Sequence, residues 1–389
     1  MQNDLKHSHF RLPTSDFLRV LLVSEGTGGH LIPAVEVARV LAAQQADVLL
    51  LYAGRPQTAP LMQELMQETD PRRIQCVPVS VPRPPAWCPR WAWRGVQAVR
   101  VWRIVRRHLH GFRPNVVAGF GGWFCVPAVL AARLHRLPAL LHEQNVRLGR
   151  ANRFLRHHVD HIALSFDTTC RELNGTPRVI TGLPVRQAIG TVSREEAARR
   201  FEMDPRAPTV VVLGGSQGSR AINRLVCRMA EGLTEEERTS WRIFHLTGPD
   251  DHALIRERYA ALGVKGLVLP HVAQMAAVYA MADVVVARAG ASTVAELAQC
   301  GTPAVLIPYP YANGHQRDNA RLAESVGGAV WMEEDAATPD LLRLAVRRIL
   351  QDARLRRRMA DQIRTLARPD AAQRLAGAIL TLAGPHAER

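Results

Sequence analysis

Two glycine-rich loops carry the residues best suited to chemistry. The first, "SEGTGGHLIP" (24–33), packs Gly26, Gly28 and Gly29 around Thr27 and ends on His30; the second, "GGSQGSRAIN" (214–223), sets Gly214, Gly215 and Gly218 around Ser216 and Gln217. Glycine lets a backbone approach a ligand, and where such a loop opens a helix the free N–H groups point at an anion. Phosphate or pyrophosphate fits both loops, while a tight strand-to-helix turn with no ligand also explains either loop taken alone. His30 is then a candidate base, since the positive end of a helix favours neutral, proton-accepting imidazole; the alternative is a helix-start histidine without a duty. Glu296, in "GASTVAELAQCG" (290–301), falls one turn into a helix after another glycine. It either complements the helix dipole or accepts the two hydroxyls of a ribose. "HEQN" (142–145) is a run of four polar residues at a strand end, hard to explain as packing. G-x-G-G is not the G-x-G-x-x-G of a dinucleotide site, and the chain has neither a G-x-x-x-x-G-K-[ST] loop nor a D-x-D pair to hold a metal on a diphosphate. A departing diphosphate would therefore be neutralised by amides, hydroxyls and arginine, with no cofactor or metal expected.

These loops need elements to hold them. "LRVLLV" (18–23) reads as a buried strand, and Leu31, Val35, Ala38, Leu41 and Ala42 give the next segment a helical stripe. "DVLLLYAG" (47–54), "NVVAGFGG" (115–122), "LPALLHEQN" (137–145) and "HIALSF" (161–166) continue as apolar runs ending in polar or glycine-rich turns. After a charge-rich helix at 193–203 the pattern restarts with "PTVVVLGGSQGSRAINRLV" (208–226), followed by "RIFHLTG", "GLVLP", "DVVVARAG" and "PAVLIPY". Strands alternating with helices imply a parallel sheet covered on both faces. The fold class expected is therefore α/β with two Rossmann-like domains joined near Pro184 to Arg199, their strand ends facing across a ligand-binding cleft. At 389 residues the chain also exceeds what a single core usually supports. The last segment, "DAAQRLAGAILTLAG" (370–384), is an amphipathic helix able to cross back to the first domain.

The six cysteines, at 76, 88, 125, 170, 227 and 300, show no metal-ligand spacing and suit a reducing cytoplasm. The N-terminal stretch lacks an apolar core of signal-peptide length, and no apolar run approaches the ~18 residues of a membrane span. A net charge of +15, almost all from arginine because Lys6 and Lys265 are the only lysines, points to an anionic partner. Residues 83–113 concentrate it: eight arginines, no acid, and Trp87, Trp91, Trp93 and Trp102 interleaved. Basic and aromatic residues together suit an anionic bilayer surface, a nucleic acid, or a solvated helix with its tryptophans packed beneath. Nucleic-acid binding leaves both glycine loops and Glu296 unused, so no nucleic-acid partner is expected.

"GTGGH", "LHEQN" followed by Gly149 and Asn152, "GLPVR" (182–186), "GGSQGSRAIN", "ARAGASTVAEL" (287–297) and "HQRDNA" (315–320) occur in one order along the chain. Together they resemble the MurG family, bacterial N-acetylglucosaminyltransferases that convert lipid I to lipid II in peptidoglycan synthesis. The resemblance implies a GT-B fold: an acceptor domain over 17–186 after an N-terminal extension (1–16), a UDP-sugar domain over 187–367, and a C-terminal helix over 368–389. It implies that Gly26, Thr27, Gly28 and Gly29, with Trp123, receive the acceptor, and that His30 is the base. On the donor side it implies Asn145, Arg186, Ser216, Gln217, Val272, Arg288, Ala291, Ser292, Thr293, His315, Gln316 and Asn319, with Glu296 on the ribose. The implied partners are UDP-N-acetylglucosamine, lipid I and an anionic membrane surface at the cytoplasmic face of the inner membrane, met through Trp87, Trp91, Trp93 and Arg94. A GT-B enzyme with another lipid acceptor and a non-hydrolysing UDP-sugar epimerase are the nearest alternatives. Departures from the family's pattern fall at Glu25, "GGWFCVP" (121–127) and Leu183. A carboxylate at position 25 must turn away from a bound pyrophosphate or pair with arginine.

Overall fold

The computed structural model describes residues 18–55, 58–67, 69–80, 90–173, 175–215, 218–311 and 314–384. The N-terminal extension, Trp87, Ser216 and Gln217 lie outside these, as do the side chains of Trp91 and Arg94.

Strands β1 (Arg19–Ser24), β2 (Asp47–Gly54), β3 (Ile74–Ser80), β4 (Val116–Gly119), β5 (Ala139–Glu143), β6 (His161–Leu164) and β7 (Arg178–Ile180) form one sheet in the order β3-β2-β1-β4-β5-β6-β7. Strands β8 (Thr209–Leu213), β9 (Arg242–Leu246), β10 (Gly266–Leu269), β11 (Val284–Ala287), β12 (Ala304–Leu306) and β13 (Ala329–Trp331) form a second, β10-β9-β8-β11-β12-β13. Every adjacent pair is parallel. Both strand orders reverse beside the strand that carries a glycine loop, β1 and β8, and such switch points are where open α/β sheets leave a crevice.

The central strands are apolar without alternation because both faces are covered. In the first domain Val20, Leu22 and Leu50 pack on Leu31, Val35, Ala38 and Leu41 of the helix Gly28–Ala43, so the helical stripe expected from the sequence is the buried one. Leu21, Val23 and Leu49 on the other face meet Val101, Val105, Leu109 and Phe112 of the helix Arg90–Phe112. The second sheet is sandwiched in the same way, with Val211 and Val285 against Val294 and Leu297, and Val210 and Val284 against Ile222, Val226 and Ile349. The C-terminal helix Ala371–Ala383 sets Leu375, Ala376, Ile379 and Ala383 into the core of the first domain, beside the Gly28 helix. The chain thus returns to its first domain after building the second.

Three strands absent from the sequence reading, β3, β7 and β13, are all sheet edges. β3 contains Pro78, which cannot donate to a ladder and is tolerated on an edge; β7 and β13 are three residues each, too short to show a period.

Candidate active site

The first glycine loop turns β1 into the Gly28 helix. A Cβ on Gly26 would lie 1.9 Å from the Ala53 carbonyl oxygen at the end of β2, so the loop can pass only as glycine. Thr27, extended, is the N-cap residue, and its exposed hydroxyl lies 2.7 Å from His30 Nδ1. In the tautomer where Nδ1–H donates to Thr27 Oγ1, Nε2 keeps its lone pair and lies beside the 121–124 turn: a Cβ on Gly121 would sit 3.2 Å from Nε2. His30 is half-buried, and desolvation pulls its pKa below the ordinary histidine value; Glu25 opposes the shift, while Arg55 and His315 add to it. The imidazole is therefore held neutral, as a base requires.

Across the cleft stands the start of the helix Ala291–Cys300. Its N-cap, Gly290, offers no side chain, so the first N–H groups, among them those of Ala291, Ser292 and Thr293, are left for another acceptor. Ser292 Oγ is buried without a hydrogen-bond partner and lies 3.8 Å from the position of a Cβ on Gly29, so the two domains meet at these helix starts. His315, at the start of the helix His315–Ser325, also has a buried, unpartnered Nδ1. Glu296 is buried and accepts a hydrogen bond from the Tyr279 hydroxyl at 2.8 Å. Burial raises its pKa, with Arg186 and then Tyr279 acting in the other direction.

The second glycine loop is held from behind. Gly218, at φ +76°, packs so closely that a Cβ would lie 2.1 Å from the Thr247 carbonyl oxygen. Thr247 O in turn accepts from Asn223 Nδ2 at 2.9 Å. Ser219 caps the helix Arg220–Glu231 and takes a hydrogen bond from Arg288 at 2.8 Å. Arg288 also donates to the Ile307 and Pro308 carbonyls, pairs with Glu334 and lies over the Tyr309 ring. Both terminal nitrogens of its guanidinium are taken by these partners, so Arg288 braces the helix start behind the second glycine loop.

The polar run at the end of β5 also has an internal explanation. Glu143 accepts from the Asn145 and Gly149 amides and from the Asn145 and Asn152 side chains, at 2.8–3.2 Å. His142 lies 3.2 Å from Gly182 O and from Ser165 Oγ, and burial holds its pKa down at about 4; Gln144 donates to Phe120 O. Asn145 reaches the second domain. There its Oδ1 accepts from Asn319 Nδ2 at 3.2 Å, and Asn319 Oδ1 accepts from Val146 N at 3.0 Å. This amide pair and the Arg147–Asp318 ion pair at 2.7 Å tie the domains together. Arg186, in the segment that joins the domains, is bonded to Glu64 of the first domain at 3.3 Å and acts electrostatically on Glu296 of the second. Gln316 Oε1 accepts the Tyr309 amide, Val272 is half-buried in the loop after β10, and Trp123 is 57% exposed on the 121–124 turn. Sequence reasoning missed Arg55 and Tyr279; Arg55 directly follows β2 at the strand-end edge, a position that is itself a signal, whereas nothing local distinguishes Tyr279.

Two helix starts facing each other across paired parallel sheets are accompanied by a match along most of the chain. Residues 20–164 match the glycosyltransferase family 28 N-terminal domain, and residues 209–375 match the C-terminal domain of the same family. The chain belongs to glycosyltransferase family 28. Its fold is GT-B. Among curated relatives, the UDP-N-acetylglucosamine--N-acetylmuramyl-(pentapeptide) pyrophosphoryl-undecaprenol N-acetylglucosamine transferase of Desulforamulus reducens is 33% identical over 375 residues, 91% of this chain and 96% of its own. The protein of the same name from Coxiella burnetii is 34% identical over 363 residues, 92% and 96% of the two chains. The crystal structure of Acinetobacter baumannii MurG superposes with a TM-score of 0.72 at 27% identity, covering 94% of this chain and 99% of that one. In this family-28 chain Glu25, the departure that called for a partner, has one: it pairs with Arg55 and accepts the Phe124 amide at 3.2 Å.

Proposed function

We propose that this family-28 enzyme moves N-acetylglucosamine from UDP-N-acetylglucosamine to the 4-hydroxyl of lipid I, making lipid II. The observation that carries the reading is the meeting of the Gly28 and Ala291 helix starts, with His30 beside the junction and the unpartnered Ser292 Oγ within it. Each helix start suits a diphosphate: the acceptor's on the Gly26–Gly29 side, the donor's on the Ala291–Thr293 side.

The reaction read from this arrangement is one displacement. The acceptor oxygen bonds to the anomeric carbon on the face opposite UDP, the bond from that carbon to the UDP oxygen breaks with its electron pair, and the hydroxyl proton passes to His30 Nε2. Thr27 holds the imidazole by its other nitrogen. Charge growing on departing UDP falls on the Ala291 helix start and on Ser292, an interaction stronger in the transition state than before it. Glu296, fixed by Tyr279, accepts the ribose hydroxyls. No metal or redox cofactor enters this scheme; the lack of any D-x-D pair in the sequence supports that.

The same reading places the enzyme peripherally on the cytoplasmic face of the inner membrane. The helix Arg90–Phe112 buries Val101, Val105 and Leu109 and turns Val96, Val99, Arg100, Arg103, Arg106 and Arg107 outward, a basic face with apolar residues at one end. Trp93 is half-buried and Trp102 stacks with Arg106. Such a face suits anionic headgroups. Among the described residues no helix is long and apolar enough to cross a membrane.

Incubation with labelled UDP-N-acetylglucosamine and a short-chain lipid I analogue in chelator is the test. Equal yields of UDP and lipid-linked product are expected. UDP release without product, or no consumption of donor, would overturn the assignment.

A further inference from the structure

Glu25 stands at the junction of three loops on the acceptor side. Its own loop leads into Thr27 and His30. One carboxylate oxygen pairs with the Arg55 guanidinium in the loop after β2; the other accepts the Phe124 amide in the turn that carries Trp123. The Thr58 hydroxyl also fastens the loops. Thr58 Oγ1 donates to Gly26 O at 3.2 Å and accepts from Arg55 N at 3.2 Å, and a Cβ on Gly122 would lie 2.6 Å from that of Glu25. Glu25 is 15% exposed and Arg55 41%, so the carboxylate is the covered member and the cation the one that faces solvent. Arg55 is near enough to His30 to depress the pKa of its imidazole.

We propose that Arg55 is a diphosphate-binding residue of the acceptor site, with Glu25 as the positioning residue that orients its guanidinium. The inference rests on the functional reading above and deepens it. The first glycine loop offers amide dipoles but no full positive charge of its own, whereas a lipid-linked diphosphate brings at least two negative charges. A guanidinium presents N–H groups along two edges, and Glu25 engages one terminal nitrogen. The ion pair holds the side chain in place before the acceptor arrives, which lowers the entropy lost on binding. Glu25 itself faces the Phe124 amide, so its charge is answered from two sides and does not confront the phosphates. Trp123, the neighbour of Phe124 in the chain, is exposed on the turn that Glu25 holds.

The test is initial-rate kinetics of the parent, Arg55→Gln, Arg55→Lys and Glu25→Gln, with the lipid I analogue and UDP-N-acetylglucosamine varied in turn and inorganic pyrophosphate added as an inhibitor competing with the acceptor. Loss of one charged hydrogen-bonding contact predicts an acceptor KM raised about tenfold or more in Arg55→Gln, with pyrophosphate inhibition weakened by a similar factor. Donor KM should stay within about twofold, which also shows that the variant is folded. Arg55→Lys should recover part of the loss, and Glu25→Gln, which frees the guanidinium to wander, should fall between parent and Arg55→Gln. An unchanged acceptor KM, an equal rise in donor KM, or an acceptor effect without weaker pyrophosphate inhibition would overturn the proposal. Absence of turnover in the parent would instead refute the functional reading, so the two failures are distinguishable.

Discussion

Replacing Tyr279 by Phe probes the donor side with little change in volume. The ring is buried and stays filled; what disappears is one hydroxyl, 2.8 Å from Glu296 Oε2. A hydrogen bond to a buried charged group contributes about 1.5–3 kcal/mol, one to two decades in an equilibrium constant. Here that equilibrium is the preference of Glu296 for its carboxylate over its carboxylic acid, since burial already raises its pKa and Tyr279 is one of the two groups opposing the rise. A carboxylic acid accepts ribose hydroxyls less well than a carboxylate. Donor KM in Tyr279→Phe should therefore exceed the parent's by up to about tenfold on the acid side and converge on it as pH rises. The ribose lies away from the reacting bond, so kcat should hardly move. Initial rates with UDP-N-acetylglucosamine varied at each pH read both constants. A KM profile that superimposes on the parent's, or a fall in kcat at constant KM, would refute the assignment of Glu296.

His30→Ala should lower kcat by about 10²–10⁴ while UDP binding by calorimetry stays near the parent's; near-parent turnover would remove the base role. Acid should destabilise the fold through two buried histidines, His142 and His245, whose pKa values burial pushes down to about 4 and about 3 from an ordinary 6.5. Below pH 6.5 the unfolded chain binds protons that the folded chain refuses, so stability falls as pH drops through this window and levels only below the folded values. By pH 5 each has cost on the order of 2 kcal/mol, to be read from urea midpoints at pH 5 and 7.5. Reversing two exposed charges, Arg100→Glu with Arg103→Glu, should weaken binding to anionic vesicles about tenfold or more in flotation, with no change for neutral vesicles; equal flotation of both proteins would contradict the membrane-facing role.

Much of the fold was legible because buried parallel strands write themselves as uninterrupted apolar runs, as "LRVLLV" and "DVVVARAG" do. The edge strands β3, β7 and β13 do not, since one side of each is unpaired and no long apolar run is needed. Candidate residues near strand ends could be placed for a related reason: the glycines, His30 and Glu296 sit where a parallel sheet opens. The polar run 142–145 was legible as unusual, but its purpose was not. Three of its members bind loops brought from Phe120, Gly149 to Asn152, Ser165 and Gly182, and only the folded chain brings these together. Arg288 illustrates the same limit, because its five internal partners are brought together only by the fold. The partnership of Glu25 and Arg55 spans two loops 30 residues apart, and neither residue announces the other.

The most direct measurement is the configuration of the new glycosidic bond, read by NMR on the disaccharide released from the lipid-linked product. A single displacement by the 4-hydroxyl, with His30 taking the proton, predicts inversion: an α-linked sugar on UDP becomes β-linked to the 4-position of the muramyl unit. Retention of the α configuration, or linkage to another hydroxyl, would contradict the account of how these two facing helix starts work.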